Sequence, residues 1–536
     1  MLSLEECTDA QIERLIKPTF YENHRAIRRR QEDLFNKLCS VFADYAFVED
    51  MVKKINTSNS DCDCDCDDCY RNVFANLRCG AWYANYRLSK TCVFKSIDGH
   101  NQNHQFSKQR LNIDVVLRAS LRGGYCAIVD ATKSRTKRFP DALGKTVPIW
   151  AAVINRAVAF DVLALRRRDS NSNSNSDMWD RYCDGEIELH EDELPEFVSE
   201  NELSAIRVKM KQFVKDFKSV CADDCFKELV EALARSGPLL CKYVSRNNAF
   251  DDVKTFKRKE NVTCLYLISA SKPLNKSGER CLLELDYECN GTTLKEKKKN
   301  ISYQYFPGAA DDEETWSLGL TPKLFQEYGM EKLICLSEEE QCESLVKSFV
   351  VASSGRASKI DDEEDEIIFQ SLKNAFGDNP NIFVGTFETL LNKSFTRDDE
   401  FKAVLYVGQQ HTPNFTVKSK DVSKTYLHVP LKKHKEKRGD IERLLPRCVD
   451  FLNKNSTDNS SIFVCCDDAK DLSIGVIAAY YYLQNKRRKY VEVGTTLKED
   501  LRKILASIQH LHPISNPSQG TMKEVSRFIA STNQGE

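Results

Sequence analysis

Hydrophobic positions along the chain follow three kinds of pattern, and the kind changes at definite places. Up to about residue 56, apolar residues recur at helical spacing, first in "EECTDAQIERLIKP" and then in "RAIRRRQEDLFNKLCSVFADYAFVEDMVKKI", which predicts helices. Beyond residue 70, "VFANLRCGAWY", "TCVFKSIDGH" and "GGYCAIVDATKS" place short apolar runs between glycines and polar turns, as strands and loops do. "PIWAAVINRAVAFDVLALRRR" returns to helix, and "LSAIRVKMKQFVKDFKSVC" and "CFKELVEALARS" predict two amphipathic helices. "VTCLYLISAS" and "CLLELDYE" predict strands, and this first unit closes near "GLTPKLFQEYGM".

From about residue 400 the pattern alternates: "KAVLYVG", "KTYLHVPL", the helix "DIERLLPRCVDFLN", the strand "SIFVCC", and the helices "IGVIAAYYYLQ" and "LKEDLRKILASIQHLHP". Strands alternating with helices predict an α/β domain. The expected division is therefore 1–340, an acidic connecting region 341–398, and a second domain 399–536. Stuttering stretches near 58–69 ("DCDCDCDDC") and 169–177 ("SNSNSNSD") read as low-complexity insertions. Thiols at alternate residues do not match the C-x2-C knuckles that hold zinc.

Composition adds limits. A chain of 536 residues with 41% hydrophobic and 29% charged residues fits a globular protein of two to four domains. Its formal net charge of −2 gives no global sign of a nucleic-acid partner, although basic clusters at 24–30 and 431–440 allow a local RNA face. The first residues lack the basic-then-apolar build of a secretory signal, and no uninterrupted apolar run approaches the roughly 20 residues of a membrane span. The 21 cysteines, odd in number, suit reduced thiols, so a cytoplasmic setting is expected.

Four stretches carry candidate chemistry. In "FKSIDGHNQNHQFSKQRLN", Asp98 and His100 flank Gly99, with Lys95 and Arg110 near in sequence. Such a set can move a proton or bind metal and phosphate; equally, Asp98 can cap its own turn. In "AIVDATKSRTKRFPDALGKTVPIW", an apolar strand ends at Asp130, followed by Thr132, Lys133, Arg135, Lys137, Arg138, Asp141 and Lys145. An acid at a strand end before hydroxyls and cations suits a phosphate-bearing ligand. In "YFPGAADDEETWSLGLTP", Asp311 and Asp312 are candidate Mg²⁺ ligands, and Trp316 either stacks on a base or packs. The acids are also ordinary partners for a helix N-terminus.

The fourth stretch, "IFVCCDDAKDLSIGV", sets a strand, a cysteine, a polar loop and a helix in the order of a cysteine-phosphatase cradle. Its amides, with Lys470 and Ser473, suit an anion. The arginine that a phosphatase needs six residues after Cys466 is replaced by Leu472, so hydrolysis through a phosphocysteine is disfavoured.

Together and in this order, these stretches resemble the initiator-tRNA phosphoribosyltransferases, or tRNA adenosine-64 2′-O-ribosylphosphate transferases. The resemblance also covers "ANLRCGAWY", "YLHVPL…LPRCVDFL" and "NPSQGTMKEV", and so reaches both domains. It implies an α/β protein, with an α+β N-terminal domain particular to the family and a C-terminal domain like a dual-specificity phosphatase. The implied reaction moves the 5-phosphoribosyl group of phosphoribosyl pyrophosphate, with Mg²⁺, to the 2′-hydroxyl of a T-stem adenosine of initiator methionine tRNA, which keeps that tRNA out of elongation.

No membrane and no obligate protein partner are implied. On these positions Asp98, His100, Asp130 and Asp141 are the catalytic candidates. Lys95, Thr132, Lys133, Arg138, Lys145, Lys470 and Ser473 are candidates for donor phosphates, and Arg28, Arg29, Arg30, Lys432 and Lys433 for the tRNA backbone. Ala469 and Gln519 stand where the family carries glycine and arginine. A tRNA-binding relative with weakened chemistry is the alternative, and a phosphatase, disfavoured by Leu472, the second.

Overall fold

The computed structural model describes residues 34–533 except 60–71, 78, 122, 135–136, 170–177, 184–192, 247–260, 275–278, 291–292, 312–315, 337–341, 357–380, 388–400, 409–424, 432–439, 457–460, 488–495 and 513. Both stutters, Arg28, Arg29 and Arg30, Lys432 and Lys433, and Asp312 lie outside the described residues.

The chain begins with helix α1 (Leu34–Asn59), then strands β1 (Val73–Asn76) and β2 (Lys90–Cys92), helix α2 (Ile113–Leu121) and strand β3 (Tyr125–Asp130). Helices α3 (Val147–Asp169), α4 (Glu200–Val220) and α5 (Asp223–Ser236) lead to β4 (Leu239–Ser245) and β5 (Thr263–Ser269). These five strands pair in parallel in the order β2-β1-β3-β5-β4. β3 and β5 are buried at every position, so they read as unbroken apolar runs rather than as alternation. Burial has this cause: one face of the sheet packs against α2–α5, and the other against α1 and the segments after β5.

Those later segments are an antiparallel ribbon, β6 (Arg280–Asn290) with β7 (Thr293–Gln304), and helices α6 (Pro322–Tyr328), α7 (Met330–Leu336) and α8 (Cys342–Arg356). The fold is thus mixed α/β as expected. Its main N-terminal sheet is parallel, and the antiparallel pairing belongs to the ribbon. The stretch Ala142–Arg168 is long and apolar enough to cross a membrane by length and composition, yet 83% of its apolar window is buried inside this fold. It is apolar because α3 is a core helix.

The second sheet has β8 (Asn381–Thr386), β9 (Ala403–Gly408), β10 (Thr425–Pro430) and β11 (Ser461–Cys466), parallel in the order β10-β9-β11-β8. Helices α9 (Asp440–Asn455), α10 (Leu472–Arg487), α11 (Leu497–Leu511) and α12 (Gln519–Asn533) complete its main core. Two parts of the expected connecting region carry structure of their own. α8 contributes Cys342 and Val346 to the N-terminal core, and β8 is a strand of the second sheet. The pattern for these parts was obscured by the acidic residues that lie between them. The domains meet where α11 packs on α4 and where its His510 Nε2 lies 3.1 Å from Glu228 Oε2 of α5.

Candidate active site

The chain order of the first sheet reverses between β1 and β3, and most of the candidate residues follow the carboxyl ends of β2 and β3 beside this point. Open α/β sheets bind ligands in the crevice at such a point. Asn76, at the end of β1, ties this edge together. Its Nδ2 donates to Asp130 Oδ2 at 2.8 Å and to the Phe94 carbonyl at 2.9 Å, and its Oδ1 accepts from the Phe94 amide at 2.8 Å. Asp130 Oδ1 accepts from the Ala131 amide at 2.8 Å and from Cys79 Sγ at 3.3 Å. With both oxygens engaged and no exposure, Asp130 fixes the loops that leave β2 and β3. The sequence placed it among the catalytic candidates; in the structure its carboxylate is hydrogen-bonded to donors of the protein itself, as a buried polar group requires.

Asp98 and His100 sit in and after a tight helical turn, Ser96–Gly99. This turn lies on the wide turn Ala142–Thr146 that opens α3. Glycine at 99 permits the approach: a β-carbon there would meet the Asp141 carbonyl and Thr146 Oγ1 at 2.7 Å and Lys145 Cβ at 2.9 Å. Thr146 Oγ1 donates to the Lys95 carbonyl at 3.0 Å, which closes the seam.

Charges gather around Asp141. His100 Nδ1 is 3.0 Å from Asp141 Oδ2, Lys137 Nζ donates to the two carboxylate oxygens at 3.0 and 3.1 Å, and Lys145 Nζ is 3.8 Å from Oδ1. Burial pushes the Asp141 carboxyl up, but the hydrogen bonds from His100 and Lys137 and the charges of Lys137 and Lys145 together hold it below its usual value. Lys145 also donates to Glu202 Oε1 at 2.6 Å, and buried His104 Nε2 is 3.4 Å from that oxygen. Burial lowers the pKa of His104, against the raising effect of Glu202.

Asp98 stands apart from this knot. Burial raises its pKa, only partly offset by the charge of Lys95, and its carboxylate has no hydrogen-bond partner among the described residues. A desolvated carboxylate without a hydrogen-bond partner is a stronger base than an ordinary aspartate and so is suited to accept a proton.

A second loop pair completes the edge. Ser271 Oγ, after β5, accepts from the Thr132 amide at 3.1 Å and from the Gly308 amide at 3.0 Å, so it fastens 131–134 to 306–311. Gly308 has φ +58°, and a β-carbon there would lie 2.6 Å from the Thr132 carbonyl carbon. Lys133 Nζ then lies 3.9 Å from Asp311 Oδ2, while Arg138, on the same loop as Lys133, and Lys95, before the Ser96–Gly99 turn, are exposed. Thr132 is mostly buried, and its Oγ1 accepts from the Ser134 amide. Trp316 packs against Trp82, with ring centroids 5.1 Å apart, and is buried, so of its two expected roles the structure gives it packing.

The cradle after β11 is filled from within. Asp468 Oδ1 accepts from the Lys470 amide at 2.9 Å, the Asp471 amide at 3.3 Å and Cys466 Sγ at 3.2 Å. A carboxylate of the chain itself thus takes the place that an external anion would hold at these amides. Ser473 is buried, with Oγ 3.1 Å from Cys466 Sγ, so it does not face an open anion site; Lys470 is exposed. Burial raises the Cys466 thiol, and the Ser473 hydrogen bond only partly opposes this. A phosphatase nucleophile needs the reverse, a thiolate stabilised by cations.

Among these positions, the structure brings together His100, Asp141, Lys137, Lys145 and Glu202, places Asp98 on the adjoining turn, and sets Lys133 with Asp311 on the neighbouring loops. Asn76, Ser271 and Glu202 were missed. Glu202 was legible only as a helix cap, three residues after Ser199, whose Oγ accepts its amide.

Fold and site together define a two-part α/β protein: a parallel sheet with a charged crevice at its switch point, joined to a phosphatase-like sheet whose cradle lacks an activated nucleophile. The chain belongs to the Rit1 family, since residues 27–351 match the Rit1 N-terminal domain and residues 425–529 the Rit1 DUSP-like domain. It is 25% identical over 541 residues to the tRNA A64-2′-O-ribosylphosphate transferase of Saccharomyces cerevisiae, covering 94% of each chain. An uncharacterised protein of Schizosaccharomyces pombe is 25% identical over 518 residues, covering 93% of this chain and 94% of that one. Among solved structures, the Yvh1 phosphatase domain of Chaetomium thermophilum covers 29% of this chain and 94% of its own at 18% identity and a TM-score of 0.25. DUSP15 covers 29% and 86% at 16% identity and a TM-score of 0.23.

Proposed function

We propose that this chain is a cytoplasmic tRNA 2′-O-ribosylphosphate transferase. It moves the 5-phosphoribosyl group of phosphoribosyl pyrophosphate to the 2′-hydroxyl of adenosine-64 in the T stem of initiator methionine tRNA. The observation that carries the reading is the pairing of an unpartnered, desolvated carboxylate, Asp98, with the knot around Asp141, where Lys137 and Lys145 supply the cations and His100 Nδ1 a further contact. The name of the Saccharomyces cerevisiae relative supports the acceptor.

In the reaction the acceptor 2′-oxygen bonds to C1 of the donor ribose. The bond from C1 to the pyrophosphate oxygen breaks, and its electron pair leaves with pyrophosphate. The 2′-hydroxyl proton passes to Asp98. Lys137 and Lys145, with Lys95, Lys133 and Arg138 on adjoining loops, hold the donor phosphates and the leaving charge. Asp141 keeps His100 and the two lysines in place.

Among the described residues no three metal-ligand side chains converge, so no protein-built cage is found there. Mg²⁺ that travels on a pyrophosphate needs only one or two carboxylates. Asp311, beside Lys133, fits that smaller demand. When bound, Mg²⁺ supplies positive charge to the departing pyrophosphate.

The test is an incubation of the purified chain with Mg²⁺, ribose-labelled phosphoribosyl pyrophosphate and unmodified initiator tRNA, with an elongator tRNA alongside. Label should enter the initiator tRNA alone. Label in neither RNA, with donor and tRNA both bound, would leave a binding protein in place of the transferase.

A further inference from the structure

Helix α4 sorts its charges by face. Ile206, Met210, Phe213, Phe217 and Val220 form its buried side. Its three acids are all engaged: Glu200 with Arg207 at 3.0 Å, Glu202 with Lys145 at 2.6 Å, and Asp216 with Lys108 at 2.5 Å. Lys209 is used inward, donating to the carbonyls of Asn103 and His104 at 2.9 and 3.2 Å in the loop that follows His100. What remains on the solvent side is Lys211, Lys215 and Lys218, in line behind Val208, which is 84% exposed.

Among the described residues, Lys211 and Lys215 have no carboxylate partner, and Lys218 Nζ lies over the Phe226 ring at 5.7 Å. Lysines at steps of four and three share one face and are spaced roughly 6 and 4.5 Å along the axis, from a rise of about 1.5 Å per residue. The same helix begins inside the catalytic cluster, and its lysines start roughly 14 Å along from Glu202.

We propose that the exposed face of α4 is the rail on which the phosphate backbone of the acceptor RNA lies. This rests on the transferase reading above and adds to it where the RNA is held. Three uncompensated point charges in line match a row of backbone phosphates and read no base, as suits an element that positions a duplex. With its acids neutralised by inward partners, the helix presents a positive stripe although the chain as a whole carries a formal charge of −2. Lys209 and Glu202 tie this rail to the loops of the site, so RNA seated on α4 is placed in register with Asp98.

The experiment compares the full chain with a Lys211→Gln/Lys215→Gln/Lys218→Gln triple variant and the matching Lys→Arg triple. Binding of unmodified initiator tRNA is followed by anisotropy between about 50 and 200 mM salt. The Gln triple should bind about 10-fold or more weakly at the low end, with a log–log salt slope shallower by about 2, since each neutralised phosphate contributes roughly 0.7–0.9. The Arg triple should stay within about twofold of the parent chain.

Donor binding should not change, because the three exposed side chains start roughly 14 Å along the helix from Glu202, and the thermal unfolding midpoint should shift little, since only Lys218, over Phe226, meets another side chain. In transfer assays the Gln triple should raise the tRNA KM and keep kcat at saturation. Wild-type affinity and slope in the Gln triple, with transfer intact, would overturn the rail alone. A parent chain that binds anionic vesicles but no tRNA would overturn both the rail and the reading beneath it.

Discussion

Asp98 and Asp141 are carboxylates on facing turns with opposite shifts, and the opposition assigns their work. Asp141 is surrounded by cations and held ionised, whereas Asp98 is buried without a partner and holds its proton to higher pH than the ordinary value of 3.8. A base must be ionised to act, so activity is lost as pH falls through the raised pKa of Asp98. The acid limb of log kcat/KM should therefore lie above the position that an unshifted aspartate would give, and have unit slope. Asp98→Asn should lower kcat by about 10²–10⁴-fold, the range for a lost general base, and should remove that limb. A variant with the parent's pH profile would transfer the role elsewhere.

At this scale the sequence was partly legible. Asp98, His100, Asp141 and Lys145 could be picked out because polar groups cluster in short stretches. Asn76 and Ser271 could not, since their partners are 54 and 139 residues away and nothing local marks a buried amide or hydroxyl as a hub.

Elements show where pattern succeeds and where it fails. Helices α4 and α5 follow from their apolar spacing, and β3 and β5 from their apolar runs. The parallel order of the strands does not follow, because it depends on which helices cover which face. The contact between the Ser96–Gly99 turn and the turn opening α3 depends on one missing side chain. Gly99→Ala would drive a methyl group onto the Asp141 carbonyl at 2.7 Å, a backbone atom that cannot swing away. The turn must lift, and His100 moves from Asp141 with it. We expect transfer to fall by about 10–100-fold, in keeping with the cost of misplacing reacting groups by about an ångström. Urea denaturation should show a loss of about 1–3 kcal/mol, as for an overpacked contact. Full activity in the alanine variant would mean that the two turns act independently.

For the whole molecule, the two sheets divide the labour. The first carries the charged crevice. The second keeps the outline of a phosphate cradle, but Asp468 fills its amides, Leu472 stands at the arginine position and Cys466 remains a buried thiol. The sequence exposed the missing arginine; it could not expose the filled cradle, because an aspartate in a polar loop reads equally well as solvated surface. The docking of α11 against α4 likewise joins segments that no local pattern relates.

The proposed transfer takes place at the N-terminal crevice and needs nothing from the cysteine of the phosphatase-like domain. The most direct measurement is the single-turnover rate of label transfer to initiator tRNA in Asp141→Asn and Cys466→Ser, side by side with the parent chain. Asp141→Asn should lose about 100-fold or more, as its lysines and His100 lose their anchor, while Cys466→Ser should stay within about twofold. Abolished transfer in Cys466→Ser, with Asp141→Asn unimpaired, would place the chemistry in the second domain instead.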